Sequence, residues 1–295
     1  MTQATAGIEK FFKTEDRTLR IESDGRKRVL IEGVSPEVDG GRFPAKRTVG
    51  DIVKVEADIF TDGHDAISAV IRVRHESSPD WVERPLRALV NDRWTGDFSV
   101  TELGRYRYTF LACVDHWETW LRDLRKRITA ENDSPLDYLM GAEHIEHAAE
   151  RATGADRTWL TKRTALLRNE ENLDLRRANA TDADLNEIML RYPDRSFATE
   201  YGRELVIVVD PVRARFSAWY ELFPRSASQG PGRHGTFADC ETRLPYIAGM
   251  GFDVVYLPPI HPIGTKFRKG KNNNVKAEPG DVGSPWAIGA QEGGH

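Results

Sequence analysis

Ile52-Val-Lys-Val-Glu-Ala-Asp-Ile-Phe60 alternates in character: Val53, Val55, Ala57 and Ile59 fall on one face, and Lys54, Glu56 and Asp58 on the other. Successive side chains of a strand point to opposite faces, so this period of two predicts a strand with one face buried. Arg105–Val114 repeats the pattern, with Tyr106, Tyr108, Phe110, Ala112 and Val114 opposite Arg105, Arg107 and Thr109. Ile67–Val73 supplies a third run of the same kind, with Ile67, Ala69, Ile71 and Val73 against Ser68 and Arg72. Turn residues at Asp39-Gly40-Gly41, Asp62-Gly63 and Leu103-Gly104 punctuate these runs at the spacing of an immunoglobulin-like β-sandwich.

Beyond Trp120 the period becomes helical. Ser134-Pro135 offers an N-cap and a proline at the first helical position, predicting a helix through Leu136, Leu139 and Met140 to Thr153-Gly154. A second helix is expected around Trp159–Asn169. A third is capped by Thr181 or Asp182, carries Leu185, Ile188, Met189 and Tyr192 on one face, and stops at Pro193. Glu204–Asp210 then regains strand character and is expected to return to the sandwich.

The last segment reads as strand, helix, strand: Ser217–Phe223, Phe237–Gly249 and Asp253–Leu257, one βαβ unit. Parallel strands need cover on both faces, which points to an α/β sheet or a (β/α) barrel. From Pro258 to His295 periodicity is lost, and loops this long are usually functional or disordered.

Composition limits what such a chain can do. At about 100–200 residues per domain, 295 residues predict two domains or slightly more. Formal charge is 42 − 46 = −4, so no global cationic field exists to hold nucleic acid or an anionic membrane. The opening stretch is charged throughout, from Glu9 and Lys10 to Arg28, so neither a signal peptide nor a transmembrane span is expected. Cys113 and Cys240 have neither zinc-ribbon spacing nor disulfide density, and the cytoplasm is the expected compartment.

The sharpest local signal is the loop Gly264–Lys276, with Lys266, Arg268, Lys269, Lys271 and Lys276 and no acid. It is not a P-loop, because five residues separate Gly264 from Gly270 and Asn272 stands where Ser or Thr would hold magnesium. It does leave the C-terminal end of a predicted strand, where (β/α) folds build their sites. Lys269 and its neighbours therefore read either as a grip on an anionic or hydroxyl-rich ligand or as a solvated charged loop.

Other candidates read as structural. His144 and His147, beside Glu143 and Glu146, lack the spacing of a zinc or di-iron motif, and no metal or cofactor is expected. His261, in Pro-Pro-Ile-His-Pro, either orients a ligand or satisfies a carbonyl in a rigid turn. Sugar chemistry by retention needs two carboxylates about 5–5.5 Å apart. Glu221, Asp239, Glu241, Asp253 and Asp281 do not fall at strand C-termini and read as solvated or capping groups. Trp81, Trp94 and Trp117 read as core or interface in preference to a sugar-stacking patch.

Phe216-Ser-Ala-Trp-Tyr-Glu-Leu-Phe-Pro-Arg-Ser226, His234-Gly-Thr-Phe237 and Gly249-Met-Gly-Phe-Asp-Val-Val-Tyr-Leu-Pro-Pro-Ile-His-Pro-Ile-Gly264 occur in an order that resembles the α-1,4-glucan:maltose-1-phosphate maltosyltransferases of the α-amylase clan. Arg268-Lys-Gly-Lys-Asn-Asn273, Asp281-Val-Gly-Ser-Pro-Trp-Ala-Ile-Gly289 and Glu292-Gly-Gly-His295 continue the match. Before Phe216 it rests on Ile31-Glu-Gly-Val-Ser-Pro36 and Phe43-Pro-Ala-Lys46. The resemblance implies a retaining enzyme that transfers maltosyl from α-maltose 1-phosphate to the non-reducing end of an α-1,4-glucan, releasing phosphate, as a homodimer. By motif position, Lys269 resembles a donor-binding lysine, Asn273 a neighbouring polar contact, Trp286 a wall of the donor pocket and Ser284 a specificity-tuning position. Phe267 stands where the family more usually has histidine.

The resemblance also implies a domain plan. Residues 17–127 form an N-terminal β-sandwich, 128–195 a helical-bundle insert, 196–214 a return strand, and 215–295 the start of a (β/α)8 barrel. Phe216–His295 is 80 residues against roughly 250 for a whole barrel, so the barrel is expected to be incomplete. The family's aspartate nucleophile and glutamate acid/base lie on later strands, beyond His295. No catalytic residue is assigned, and the chain alone is expected to be inactive. The alternative is a non-catalytic module for dimerisation or glucan binding with a vestigial βαβ tail.

Overall fold

A computed structural model describes residues 25–294; the start of the expected sandwich domain, 17–24, the charged positions Glu9 and Lys10, and His295 lie outside the described residues. The chain folds as two compact units that divide between Val209 and Asp210.

The first unit is built on two sheets in which neighbouring strands pair mostly antiparallel. One carries β1 (Leu30–Ser35), β3 (Ile52–Phe60), β7 (Arg93–Ser99) and β6 (Arg87–Ala88) in that order. The other runs β2 (Ala45–Thr48), β10 (Leu205–Asp210), β8 (Gly104–Val114), β4 (Ile67–His75) and β5 (Val82–Pro85), with β9 (Thr199–Glu200) beside β8. The alternation in β3 does what its period requires: Val53, Val55, Ala57 and Ile59 are all buried, opposite Phe98, Gly96 and Trp94 of β7 for the first three. On the second sheet Ile71 faces Phe110 and Val73 faces Tyr108, while Leu205 and Ile207 of β10 face Tyr108 and Tyr106 from the other side. These inner faces share one core, so the unit is a sandwich.

β8 and β10 are direct antiparallel neighbours, yet about ninety residues separate them. That connection holds five helices: α1 (His116–Thr129), α2 (Pro135–Arg151), α3 (Gly154–Asn169), α4 (Leu173–Ala180) and α5 (Ala183–Arg191). Their starts follow from capping chemistry, since a side-chain oxygen can take an amide that has no intrahelical partner. Asp115 accepts from the amide of Glu118, Asn172 from those of Asp174 and Leu175, and Asp182 from that of Asp184. The first helix begins at His116, ahead of the expected change of period at Trp120. Its Trp117, Trp120, Leu121 and Leu124 join the helical core. The expected boundary at 127/128 therefore falls inside α1.

The inner face of α2 is Tyr138, Gly141, Ala142, Ile145, Ala148 and Ala149, and its glycine and alanines let the neighbouring helices approach closely. Leu136, Leu139 and Met140 lie on the outer side, 64%, 45% and 47% exposed. No helix among the described residues is long and apolar enough to cross a membrane.

The second unit holds one parallel pair, β11 (Trp219–Glu221) and β12 (Val254–Tyr256), registered Trp219 to Val254 and Glu221 to Tyr256. The expected single helix over Phe237–Gly249 is two: α6 (Phe237–Glu241) and α7 (Leu244–Gly249). Pro245 explains the break, because proline has no amide to donate and its ring clashes with the carbonyl one turn back. Leu222, Ala227, Cys240 and Ile247 form the small core.

Candidate functional site

The loop after β12 is closed at its base by backbone pairing. The Gly264 amide donates to the Ile288 carbonyl at 2.8 Å, and the Ala290 amide to the Pro262 carbonyl at 2.9 Å. A Cβ at Gly264 would sit 2.5 Å from the Gly289 carbonyl oxygen, so only glycine permits this approach. Inside the loop the Gly270 amide donates to the Asn274 carbonyl at 2.8 Å, while Asn272 and Asn273 take left-handed backbone at φ 56° and 60°. Asparagine tolerates that region, which accounts for asparagine at both positions.

One carboxylate ties the loop together. Asp281 Oδ2 accepts the amide of Glu278 at 2.8 Å and that of Lys271 at 3.3 Å. Two guanidiniums brace the flanks: Arg268 Nη2 donates to the Ile263 carbonyl at 3.1 Å, and Arg225 Nη1 to the Gly283 carbonyl at 2.9 Å. Asp281→Ala is expected to release both amides, and hydrogen exchange at Lys271 and Glu278 should accelerate by about tenfold, one lost charge-assisted hydrogen bond's worth of protection. Unchanged exchange at both would show that the loop holds itself without the carboxylate.

This geometry leaves a cavity of about 500 Å³, lined by Lys269 to Asn273, Gly280 to Ser284 and His234. Lys269, Asn273 and Ser284 thus converge on one space. Trp286 does not line it; its ring stacks on Phe223 with centroids 6.2 Å apart, and the residue is 62% exposed. His234 joins the lining without having been singled out, although His234-Gly-Thr-Phe237 is a visible motif.

Two lysines, two carboxamides, a hydroxyl and an imidazole suit a ligand that is both anionic and rich in hydroxyls. Asp281 is the one carboxylate on the lining, so the cavity holds no carboxylate pair of the kind retention requires.

Glu221, expected away from a strand's C-terminal end, is the last residue of β11, whereas most of the remaining candidates have structural partners. Asp239 accepts from the amide and hydroxyl of Thr236 at 2.7 and 2.8 Å and pairs with Arg233 at 2.7 Å, which holds its carboxyl far below the usual range. Asp253 accepts the Ala218 amide at 3.0 Å. His261 Nδ1 lies 3.0 Å from the Pro262 carbonyl. Trp117 Nε1 donates to Asn186 Oδ1 and Trp94 Nε1 to the Ile59 carbonyl, while Trp81 lies under the guanidiniums of Arg72 and Arg74. Among the described residues no group of three or more His, Cys, Asp or Glu side chains is placed to hold a metal ion.

The first unit is thus a sandwich with helices inserted between two adjacent strands, and the second a strand–helix–strand unit whose loop gathers lysines, carboxamides and a hydroxyl. Residues 27–211 match the family described as alpha-1,4-glucan:maltose-1-phosphate maltosyltransferase, domain N/S. The chain belongs to that family. It is 48% identical over 272 residues to the alpha-1,4-glucan:maltose-1-phosphate maltosyltransferase of Chlorobaculum tepidum, covering 92% of this chain and 40% of the relative. The Myxococcus xanthus protein of the same name is 48% identical over 275 residues, covering 90% and 41%. That of Cereibacter sphaeroides is 40% identical over 295 residues, covering 100% and 43%. The chain spans about 40% of the length of these relatives.

Proposed function

We propose that this chain belongs to a cytoplasmic, retaining maltosyltransferase that moves maltosyl from α-maltose 1-phosphate to the non-reducing end of an α-1,4-glucan and releases phosphate. Its own part is to hold the donor. The observation that carries this reading is the convergence of Lys269, Asn273 and Ser284 on the loop cavity. Lys269 would take donor oxygens, Asn273 would donate and accept beside it, and Ser284 would tune the fit. The catalytic carboxylates would come from the further length that the relatives have, on a (β/α)8 barrel that β11 and β12 begin. The immunoglobulin-like type of the sandwich and the division 17–127, 128–195, 196–214 and 215–295 belong to the same proposal, with α1 lending its apolar face to the helical part.

The test is phosphate release from α-maltose 1-phosphate with a glucan acceptor, by the protein carrying the remaining length of its relatives. Lys269→Ala is expected to lower kcat/KM by about 10–150-fold, the loss of one hydrogen bond to a charged group. Unchanged kcat/KM would remove Lys269 from the donor site.

One observation favours a second role, association. Leu136, Leu139 and Met140 leave an apolar strip on the outer face of α2, which a second copy of the chain in a homodimer would cover. Light scattering on the chain should give twice the monomer mass, and Leu139→Glu should halve it. A monomeric mass for both would count against the dimer.

A further inference from the structure

Where the chain leaves the sandwich for the helices, a cavity of about 320 Å³ opens between the end of β8, the start of α1, α2 and the turn after α5. Its wall brings together three imidazoles from two helices, His116, His144 and His147, with Arg151 one turn beyond His147. A second cavity of about 330 Å³ adjoins it, sharing Cys113, Val114, His116 and Asp194, and adds Arg26 and Arg28. None of these residues belongs to the loop cavity of the second unit.

The charges are unevenly committed. Arg151 gives Nε and Nη2 to the Tyr192 carbonyl at 3.1 and 2.8 Å, a neutral acceptor that leaves its positive charge in place. Arg28 is paired with Asp62 and Asp65. The two carboxylates on the wall serve the backbone: Asp115 accepts the Glu118 amide, and Asp194 accepts the amide and hydroxyl of Ser196. Burial holds His144 below the ordinary imidazole value, and the nearby His116 and His147 add to that, against Glu143 and Asp115. An anion placed among imidazoles favours their protonated, cationic forms. The Cys113 thiol, pushed up to about 11 by burial, donates to the Asp194 carbonyl and brings no anionic charge.

We propose that this cavity binds a small phosphate monoester, its phosphate held by His116, His144, His147 and Arg151. The volume lies within the range of small-molecule sites, about 300–1,000 Å³, and exceeds what a bare phosphate fills, leaving room for the organic part. Protons and anion enter together, so affinity rises as pH falls through the imidazole range.

The experiment is calorimetric titration of the 295-residue chain with sulfate, whose charge is constant across the range, and with glycerol 3-phosphate and inorganic phosphate. One saturable site is expected, with sulfate binding about tenfold or more tighter at pH 5.5 than at pH 7.5, from the added neighbouring positive charge. Glycerol 3-phosphate should bind more tightly than inorganic phosphate. The double variant His116→Gln/His147→Gln changes two exposed side chains, so it should keep the fold while losing the pH dependence and most of the affinity. Lys269→Ala should bind as the parent does. Absence of a saturable site, binding that survives the double variant, or binding lost in Lys269→Ala would overturn the assignment. So would tight zinc binding that is indifferent to phosphate.

Discussion

Asp133→Asn is expected to lower the unfolding free energy of the first unit by about 1.5–3 kcal/mol, the loss of hydrogen bonds to a charged group whose partner is partly exposed. The Asp133 side chain is fully buried between α1 and α2. Arg177 of α4 grips it in a bidentate fork, Nη2 to Oδ1 at 2.6 Å and Nε to Oδ2 at 3.0 Å, and the Tyr138 hydroxyl donates to Oδ2 as well. Three separate segments, the α1–α2 connection, α2 and α4, are thereby tied at one carboxylate. An amide in its place can accept at only one oxygen and removes the nearer of the guanidinium's two carboxylate partners, leaving Asp174 at 3.6 Å.

The same network sets a pH signature. The Arg177 guanidinium, and then the Tyr138 hydroxyl, outweigh burial and hold the Asp133 carboxyl down at about 2. An unfolded aspartate titrates near about 3.9, so between those values the unfolded chain binds more protons and stability rises with pH. The contribution is complete above about 4 and is lost as pH falls toward about 2. At the alkaline end, burial and the Asp133 carboxylate push Tyr138 up to about 12. Its contribution is therefore complete below about 10 and disappears as pH climbs through the folded value. Denaturant midpoints across pH 2–5 should show a shallower acid limb in the variant. Parallel limbs would mean that other carboxylates carry the acid sensitivity.

What the residues made legible follows the strength of local periodicity. Val53, Val55, Ala57 and Ile59 leave little choice of face, because a one-residue slip would bury Lys54, Glu56 and Asp58 together. α5 is equally plain, since Asp182, Leu185, Ile188 and Met189 combine a cap with a stripe. α4, by contrast, is eight residues with a single buried side chain, Ala180, and nothing in Leu173–Ala180 marks an apolar face. The orientation of α2 is hidden for the opposite reason: Leu136, Leu139 and Met140 are the larger apolar residues, yet the small Gly141, Ala142, Ala148 and Ala149 are buried, Gly141 against Trp120 of α1 and the helix as a whole close against α3. In the site, Lys269 stands out as a cation in a glycine-rich loop. Its convergence with Ser284 is not local information, because it depends on Asp281 capturing two amides and on Gly264 meeting Gly289.

Gly141→Ala carries the most informative sign. Glycine inside a helix is about 1 kcal/mol worse than alanine, so propensity alone has the substitution stabilise α2. The added Cβ, however, would stand 2.0 Å from Trp120 Cζ2 and 2.4 Å from Cη2. The indole has nowhere to retreat. Its Nε1 donates to the Asp137 carbonyl at 2.8 Å, the Trp117 ring lies at 4.8 Å and the His144 ring at 6.4 Å. Overpacking should win over propensity, with a net loss of up to about 2 kcal/mol and a fall in Tm of about 2–4 °C for each kcal/mol. Removing the obstacle should restore the propensity gain, so Gly141→Ala in a Trp120→Leu background is expected to be neutral or stabilising relative to Trp120→Leu alone. That reversal, read as a coupling of at least about 2 kcal/mol in the double-mutant cycle, is the discriminating result. A single variant that is more stable than the parent would show that the α1–α2 contact yields, and that the glycine is not what sets the distance between the two helices.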